Sequence, residues 1–368
     1  MKSSRKPQSF SDSRRAAFQG SLLTWYDAHA RDLPWREDRD PYRVWLSEIM
    51  LQQTRVAAVI EHYHEFLRRF PTVQKLAVAR EASVLAAWSG LGYYRRARML
   101  HAAAKVVVRE RGGKFPSTAD ELLELPGVGR YTAAAIASIA FGEPVAVVDG
   151  NVERVLQRVS GRRLAGEELW DAAEKWLDRN RPGDFNQAMM ELGATVCTPR
   201  APACLTCPVI ELCATRGELA GAAKPAPQKK REIHYALDLH DEDGRGGKVF
   251  LIQRPQDASL MASMWELPEI ASPAGSPEQR QVPRAGFASP RNDRRNGALK
   301  RPLPEPYLTL RHSITVTNYT VRVWRTKARK RTGGKWLPFD RLEHVALTGL
   351  ARKILLKAEV IAVAAGQV

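Results

Sequence analysis

Two acidic residues lie in surroundings that would push their pKa values apart. Glu48 stands in the apolar run VWLSEIML, where loss of solvent would raise the pKa of its carboxyl group and let it donate a proton near neutral pH. Asp149 precedes an amphipathic segment, and the N–H groups of a helix start keep a carboxylate ionised. Such a pair can cleave a C–N or C–O bond at an anomeric carbon. The simpler interpretations are an exposed glutamate on a helix face and an aspartate that only caps a helix.

A glycine-rich turn lies between these carboxylates in the sequence. Residues 125–129 (LPGVG) join two predicted helices, and Gly127 and Gly129 leave no Cβ atom in the way. Backbone N–H groups of the turn and of the next helix could face a phosphate, although a tight helix–turn–helix connection would show the same pattern. The formal net charge of +17 favours a polyanionic partner, with nucleic acid ahead of an anionic membrane surface.

All four cysteines fall in one window with the spacing C-x6-C-x2-C-x5-C: Cys197, Cys204, Cys207 and Cys213. A secreted disulfide framework would spread its cysteines to close long loops, so this window indicates one metal or cluster site. Zinc and a [4Fe–4S] cluster both take four thiolates, and the spacing leaves both open. Arg200, between the first two cysteines, would lie on a rigid loop able to meet a phosphate.

Two further segments carry polar and aromatic residues at predicted helix ends. They are LQQT (residues 51–54) and GLGYYRRAR (residues 90–98). Gln53 and Tyr93 could enter a base stack, whereas simple core packing is the alternative for the tyrosine. The arginines of the second segment could bind phosphate or form a solvated face; they are Arg95, Arg96 and Arg98.

The elements that must position these residues are mainly helical in the first part of the chain. Apolar residues recur at three- and four-residue spacing, Asp40 followed by Pro41 predicts a helix start, and a break is expected near residues 52–54. A Pro/Ala/Lys-rich linker follows, and alternating strand-like segments come after it. We predict a basic tail (1–17), a helical domain (18–216), a linker (217–232) and an α+β domain (233–368).

The hairpin, the aspartate after it and the cysteine loop together resemble the endonuclease III superfamily of helix–hairpin–helix DNA glycosylases. LPWR, WLSEIMLQQTRV, GLGYYRRARMLH, VVDGNVERV and FNQAMMELGA resemble the MutY-type adenine DNA glycosylases, over residues 18–216. The resemblance implies a mainly α catalytic domain with a [4Fe–4S] loop and an α+β, MutT/Nudix-like second domain. It also implies a partner, double-stranded DNA with 8-oxoguanine·A or G·A mispairs, and removal of that adenine by hydrolysis in base excision repair.

The resemblance assigns a role to each matching residue. Glu48 would protonate adenine N7, Asp149 would stabilise the oxocarbenium ion, Asn151 would hold the nucleotide and water, and Tyr131 would contact the reacting centre. The residues lining the adenine pocket would be Arg31, Trp35, Arg36, Leu51, Val56 and Gln187. Those probing the opposite base would be Gln53, Leu91 and Tyr93.

The C-terminal domain resembles the family's MutT-like recognition domain more loosely. The sequence contains no G-x5-E-x7-R-E-x2-E-E helix, so nucleotide hydrolysis is not expected. Ile314, Thr315 and Val316 stand where the family carries Phe-Ser-His. Thr315 could keep a hydroxyl contact to 8-oxoguanine, whereas the aromatic ring and the imidazole are missing.

Tyr131 distinguishes two branches of the superfamily, because the lyase branch places a lysine there to form a Schiff base. We therefore predict a monofunctional enzyme. A mismatch thymine glycosylase and a non-enzymatic iron–sulfur DNA-binding module are the other hypotheses, and the latter gives no reason for a glutamate in an apolar helix. No run approaches the roughly 20 apolar residues that span a bilayer, and the basic N-terminus lacks the apolar region of a secretory signal. We expect a cytoplasmic, nucleoid-associated monomer.

Overall fold

The structure is a computed structural model that describes residues 12–219, 228–240, 247–258, 260–271, 305–314, 317–328 and 334–361. The chain divides into two compact units, Met1–Lys224 and Pro225–Val368, and this division lies within the segment predicted as a linker. The first helix begins at Asp12, so the predicted basic tail of residues 1–17 extends too far. Among the described residues, no helix is both long and apolar enough to span a membrane.

The first unit is helical, as predicted. Its helices are α1 (Asp12–His29), α2 (Pro41–Leu51), α3 (Val56–Arg69), α4 (Val73–Ala77), α5 (Glu81–Ala87), α6 (Arg95–Arg111), α7 (Ala119–Leu123), α8 (Arg130–Phe141), α9 (Gly150–Ser160), α10 (Gly166–Trp176) and α11 (Pro182–Thr195). Short 3-10 turns lie at Pro34–Arg36, Cys204–Thr206 and Ile210–Leu212.

The start and end of α2 follow from local chemistry. The Asp40 side chain accepts hydrogen bonds from the backbone of Tyr42 and Arg43, and Pro41 occupies the first helical position. The helix ends at Leu51 and α3 begins at Val56, which confirms the predicted break. Glu48 therefore lies one turn from the C-terminus of its helix.

Helix packing brings distant parts of the chain together. Helix α2 packs against α8, and α9 packs against α11, so residues that are far apart in sequence become neighbours. A core of apolar side chains from α1, α9, α10 and α11 fixes this arrangement. In it the Phe18 ring meets the Trp176 ring edge-on, with 4.5 Å between centroids, and also lies near Phe185.

The second unit is α+β, which confirms the predicted fold class. Its strands are β1 (Lys229–Leu237), β2 (Leu239–His240), β3 (Lys248–Gln253), β4 (Trp265–Glu266), β5 (Glu269–Ile270), β6 (Leu308–Ile314), β7 (Thr317–Arg325) and β8 (Gly334–Pro338). One sheet has the order β5-β1-β7-β6, with β1 and β7 parallel. In the other sheet β3 pairs with β2, β4 and β8. Helix α12 (Gly349–Lys357) supplies Leu350, Ile354 and Leu355 to the core.

Candidate active site

Glu48 is buried, with 6% of its surface exposed, on a helix whose residues from Val44 to Met50 are all buried. This burial contradicts the alternative of a glutamate on an exposed helix face. The pKa of Glu48 is raised to about 7, chiefly by loss of solvent and to a smaller extent by the negative charge of Asp149. A hydrogen bond from Tyr131 and the charge of Arg36 oppose this rise. A carboxyl group with this pKa can donate a proton near neutral pH.

Tyr131 lies in the first turn of α8, directly after the glycine-rich turn. Its hydroxyl donates a hydrogen bond to Glu48 Oε2 at 2.7 Å and lies 3.3 Å from Met190 Sδ. Burial and the nearby carboxylates of Glu48 and Asp149 hold the pKa of Tyr131 well above its ordinary value, so the phenol keeps its proton. The tyrosine can therefore orient the Glu48 carboxyl group but cannot act as a base.

Asp149 caps α9 and also presents a carboxylate. Its Oδ1 accepts hydrogen bonds from the backbone N–H groups of Asn151 (2.9 Å) and Val152 (2.7 Å), and its Oδ2 accepts one from Asn151 Nδ2 (2.8 Å). The two sequence interpretations of Asp149 are thus compatible. Gly193 of α11 lies against Asn151, and any side chain at that position would occupy the space of the asparagine.

Arg154, which the sequence analysis missed, links this site to the cysteine loop. Its Nη2 donates to Asn151 Oδ1 at 2.8 Å and to the carbonyl oxygen of Gly193 at 2.6 Å. Its Nε donates to the carbonyl oxygen of Cys197 at 2.7 Å. The spacing of three residues from Asn151 on one helix was the available signal.

Both predicted pocket arginines, Arg31 and Arg36, are held by Glu191, which is another residue that sequence reasoning missed. Its side chain is 1% exposed and accepts from Arg31 Nε at 2.5 Å and from Arg36 Nη2 at 2.8 Å. Although burial opposes ionisation, these hydrogen bonds hold the pKa of Glu191 below its ordinary value. Arg36 Nε also donates to Gln187 Oε1 at 3.2 Å. Gln187 and Glu191 are four residues apart on α11, so both lie on one helix face.

A cleft of about 410 Å³ is lined by four of the six predicted pocket residues: Arg31, Trp35, Arg36 and Gln187. Its size lies within the roughly 300–1,000 Å³ typical of small-ligand sites. The other two, Leu51 and Val56, are half-buried at the end of α2 and the start of α3 and are not part of this lining.

Gln53, Leu91 and Tyr93, predicted to probe the opposite base, differ in exposure. Gln53 and Tyr93 are exposed and have left-handed backbones, with φ of 56° and 47°. Leu91 is buried, so its side chain faces the protein here and not a partner. Non-glycine residues rarely adopt positive φ, and such residues cluster at functional sites.

The glycine-rich turn leaves the start of α8 open. Gly127 has a φ of 76°, and a Cβ atom at this position would collide with Met99. Gly129 is the N-cap of α8 and has no side chain that could cap the helix. The space where a Cβ atom would lie is open. The exposed N–H groups of a helix start can bind an anion. Arg200 is likewise exposed.

The four cysteines are half-buried free thiols within residues 197–213. Burial, and then the neighbouring thiols, raise the pKa of Cys207 to about 11. The buried Arg158 donates from Nη1 to Cys197 Sγ at 3.3 Å and to the Thr198 carbonyl oxygen at 2.7 Å. Within the described ranges, no three His, Cys, Asp or Glu side chains form a group that could hold a single metal ion.

The predicted contact to 8-oxoguanine is the hydroxyl group of Thr315. Thr315 and Val316 lie outside the described residues, between β6 and β7.

Comparison with known proteins agrees with this fold. Residues 46–178 match the family described as HhH-GPD superfamily base excision DNA repair protein. A thermostable thymine-DNA glycosylase of known structure is 33% identical, with a TM-score of 0.53 over 56% of this chain and 97% of that chain. The fold and the site therefore define a helix–hairpin–helix protein of the base excision repair class.

Two curated relatives narrow the assignment. The adenine DNA glycosylase of Homo sapiens is 42% identical over 326 residues, which cover 72% of this chain and 60% of the relative. That of Schizosaccharomyces pombe is 34% identical over 318 residues, 69% of each chain. The chain belongs to the adenine DNA glycosylase family, and it spans about 60% of the length of its human and mouse relatives.

Proposed function

We propose that this chain is a monofunctional adenine DNA glycosylase that removes adenine opposite 8-oxoguanine or guanine in base excision repair. The observation that carries the proposal is the pair of carboxyl groups. Burial raises the pKa of Glu48 to about 7, with a further contribution from the charge of Asp149, while Asp149 accepts three N–H donors at a helix start. The names of the family's relatives support adenine as the base that is removed.

The reaction would begin with the adenine turned out of the DNA duplex, because an enzyme cannot reach the glycosidic bond inside the base stack. Glu48 donates its proton to adenine N7, the C1′–N9 bond breaks, and its electron pair stays on the base. The Asp149 carboxylate stabilises the sugar cation, and Asn151 holds the water that adds to C1′. Glu48, now a carboxylate, is available to accept a proton from that water.

The adenine pocket is proposed to use the charged cluster at the 410 Å³ cleft. The lining of the cleft includes none of Glu48, Tyr131 and Asp149, and its link to the proposed acid is Arg36, whose charge acts on Glu48. Glu191 holds Arg31 and Arg36 in place, so their remaining N–H groups and the Gln187 amide can meet the polar edge of a base. The buried Trp35 ring supplies an apolar surface. Leu51 and Val56 stay proposals for contacts made after DNA binds.

DNA would be held through its backbone and read at the base opposite adenine. The open start of α8 at Gly127 and Gly129 suits a phosphate, and Arg200 adds an exposed cation. The exposed Gln53 and Tyr93 would contact the opposite base, with Thr315 as the contact to 8-oxoguanine. Leu91 is buried, so it stays a proposal for a contact made after DNA binds. The monomeric state and the cytoplasmic, nucleoid-associated location of the protein stay predictions.

We propose further that the four cysteines hold a [4Fe–4S] cluster. The donor set fits, because four free, half-buried thiols share residues 197–213 and an arginine donates to one sulfur, and protein-bound clusters of this type take four thiolates. Cys197, Cys204, Cys207 and Cys213 would be the ligands. The cluster would supply cross-linking of the loop that presents Arg200.

Measurement of base release tests the proposed function. The chain is incubated with duplexes containing 8-oxoguanine·A, G·A, G·T or thymine glycol, with A·T as the matched control. Free adenine from the first two duplexes, without strand cleavage, is the expected result. Glu48→Gln should lower release by about 10²–10⁴-fold and keep duplex binding, because the amide cannot donate the proton. Strong release by this variant would contradict the assignment of the acid.

One alternative is a mismatch thymine glycosylase, favoured by the 33% identity to the thymine-DNA glycosylase. Release of thymine from G·T in place of adenine would support it. The other is a lyase, which would give a covalent protein–DNA adduct on borohydride reduction.

A further inference from the structure

Arg96, the second residue of α6, points into the protein and joins two loops. Its Nη1 donates to the carbonyl oxygens of Ile49 (2.7 Å), Met50 (3.0 Å) and Gln52 (2.6 Å). Its Nη2 donates to Thr54 Oγ1 (3.1 Å) and to the carbonyl oxygens of Leu91 (3.1 Å) and Gly92 (3.3 Å). The donors of both terminal nitrogens are thus used within the protein, which contradicts a solvated face at this position.

The first set of contacts completes the end of α2. The last carbonyl groups of a helix have no partner inside the helix and carry its partial negative charge, so a cation there is stabilising. Arg96 satisfies the carbonyl groups of Ile49 and Met50. These residues directly follow Glu48 on the same helix, so the guanidinium is tied to the element that carries the proposed acid.

Two aromatic rings enclose the cation. The guanidinium carbon lies 5.4 Å from the centre of the Trp88 ring and 5.5 Å from that of Tyr93. Burial lowers the pKa of Arg96 to about 10, which leaves the side chain charged at neutral pH. Both terminal nitrogens of Arg96 are placed on acceptors, whereas its buried Nε finds none among the described residues. A lysine, with a single nitrogen, could not reach both loops.

The two joined loops hold the two exposed left-handed residues of the site. Gln53 lies between Gln52 and Thr54, which both accept from Arg96, and Tyr93 follows Gly92, which also does. Their φ values of 56° and 47° are unfavourable for side chains other than glycine. Such conformations persist only where the surrounding structure holds them.

We propose that Arg96 is a positioning residue that locks residues 51–54 and 90–93 together, so that Gln53 and Tyr93 are presented to the DNA duplex before it binds. The inference rests on the proposed function, in which these two side chains read the base opposite adenine. Recognition of the opposite base then depends on an arginine whose terminal nitrogens bind oxygen atoms of the protein and not phosphates. The same contacts join that recognition to the helix of the proposed acid.

The test compares the wild-type chain with Arg96→Lys, which keeps the positive charge but replaces the two terminal nitrogens of the guanidinium group with one. Hydrogen exchange is measured at the amides of Thr54 and Leu91, which are bonded to Leu51 and Trp88. Binding is measured for 8-oxoguanine·A and A·T duplexes over a range of salt concentrations. We expect exchange at both amides to quicken and the preference for the mispair to fall, each by about tenfold. The salt dependence should stay unchanged, because no phosphate contact is lost.

Two further variants make the test specific. Thr54→Val removes one bond to Arg96. It should quicken hydrogen exchange at residue 54 and lower the preference for the mispaired duplex by less than Arg96→Lys does. This variant keeps the inference testable if Arg96→Lys fails to fold. Lys105→Gln, an exposed cation on the same helix, should leave both measurements at wild-type values.

The results separate failure of the inference from failure of the proposed function. One contradicting result is unchanged hydrogen exchange in Arg96→Lys, together with a slope of log affinity against log salt that is smaller by about one. This result would identify a phosphate contact and overturn the inference. Wild-type exchange and preference in Thr54→Val would also overturn it. If the wild-type chain releases no adenine from any mispair, the proposed function is wrong, and the exchange data still decide whether Arg96 holds the loops.

Discussion

At the scale of single residues, the proposed chemistry depends on the protonation of Glu48 and on the hydrogen bond that it accepts from Tyr131. The tyrosine donates to the carboxyl group at 2.7 Å, which favours the ionised acid, while burial favours the protonated acid and raises the pKa to about 7. The balance leaves a donor that is partly protonated at neutral pH.

This balance predicts the pH dependence of adenine release. The acid must be protonated, so the single-turnover rate should be constant below pH 7 and fall about tenfold per unit above it. Tyr131→Phe removes a bond that lowers the pKa of Glu48, so its profile should bend at a higher pH. Rates measured between pH 5 and pH 9 check this, and a variant profile that bends at a lower pH would contradict the direction of the effect.

The same shift predicts a cost in stability. The folded state raises the pKa of Glu48 from 4.5 to about 7, so stability is lost as pH rises between these values, by on the order of 3 kcal/mol. Glu48→Gln should therefore raise the melting temperature at pH 8 more than at pH 4. Equal effects at both pH values would argue against a buried, titrating carboxyl group.

At the scale of the elements, Asp149 serves both as the cap of α9 and as the proposed stabiliser of the sugar cation. Serine also caps helices well but carries no charge. We therefore expect Asp149→Ser to melt close to the wild type and to lose adenine release by at least about 10²-fold. Asp149→Ala should lose the cap as well, at roughly 1 kcal/mol. Full activity of the serine variant would show that only the cap matters.

The hairpin before α8 offers a matched pair of glycines. Gly127→Ala should destabilise the fold, because its φ is 76° and Met99 fills the space of a Cβ. Gly129→Ala meets open space and should melt like the wild type, but its methyl group would obstruct a phosphate at the helix start. Thermal melts and duplex affinities separate the two effects. Wild-type affinity in Gly129→Ala would place the phosphate elsewhere.

At the scale of the whole molecule, the cysteine loop joins parts of the first unit that are distant in sequence. Arg14 of α1 donates to the Leu212 carbonyl oxygen at 2.7 Å, and Thr215 Oγ1 donates to that of Arg158 at 2.7 Å. Three of the cysteines pack against the core formed by α1, α9, α10 and α11. A group bound by the cysteines would therefore stabilise the unit as a whole.

This arrangement predicts the effect of losing one ligand. Cys207→Ala should reduce iron and acid-labile sulfide, each expected at about four per chain, and lower the melting temperature of the helical unit. Leu205→Ala, at a fully exposed side chain in the same loop, should keep both. Zinc without sulfide in the purified chain would contradict the cluster and support a zinc site instead.

The sequence by itself determined those features that depend on neighbours a few residues away. Asp40 and Pro41 start α2, the break at residues 52–54 ends it, and the four cysteines share one short window. Only the tertiary structure decided that Glu48 is buried, since its exposure depends on what packs around α2. The Tyr131 contact spans 83 residues and the Arg31 contact to Glu191 spans 160. The inward direction of Arg96 was also undetermined, because three arginines in four residues cannot show which one faces the carbonyl groups of another helix. Local spacing predicts caps and turns, whereas a pKa or an ion pair depends on groups that only folding brings together.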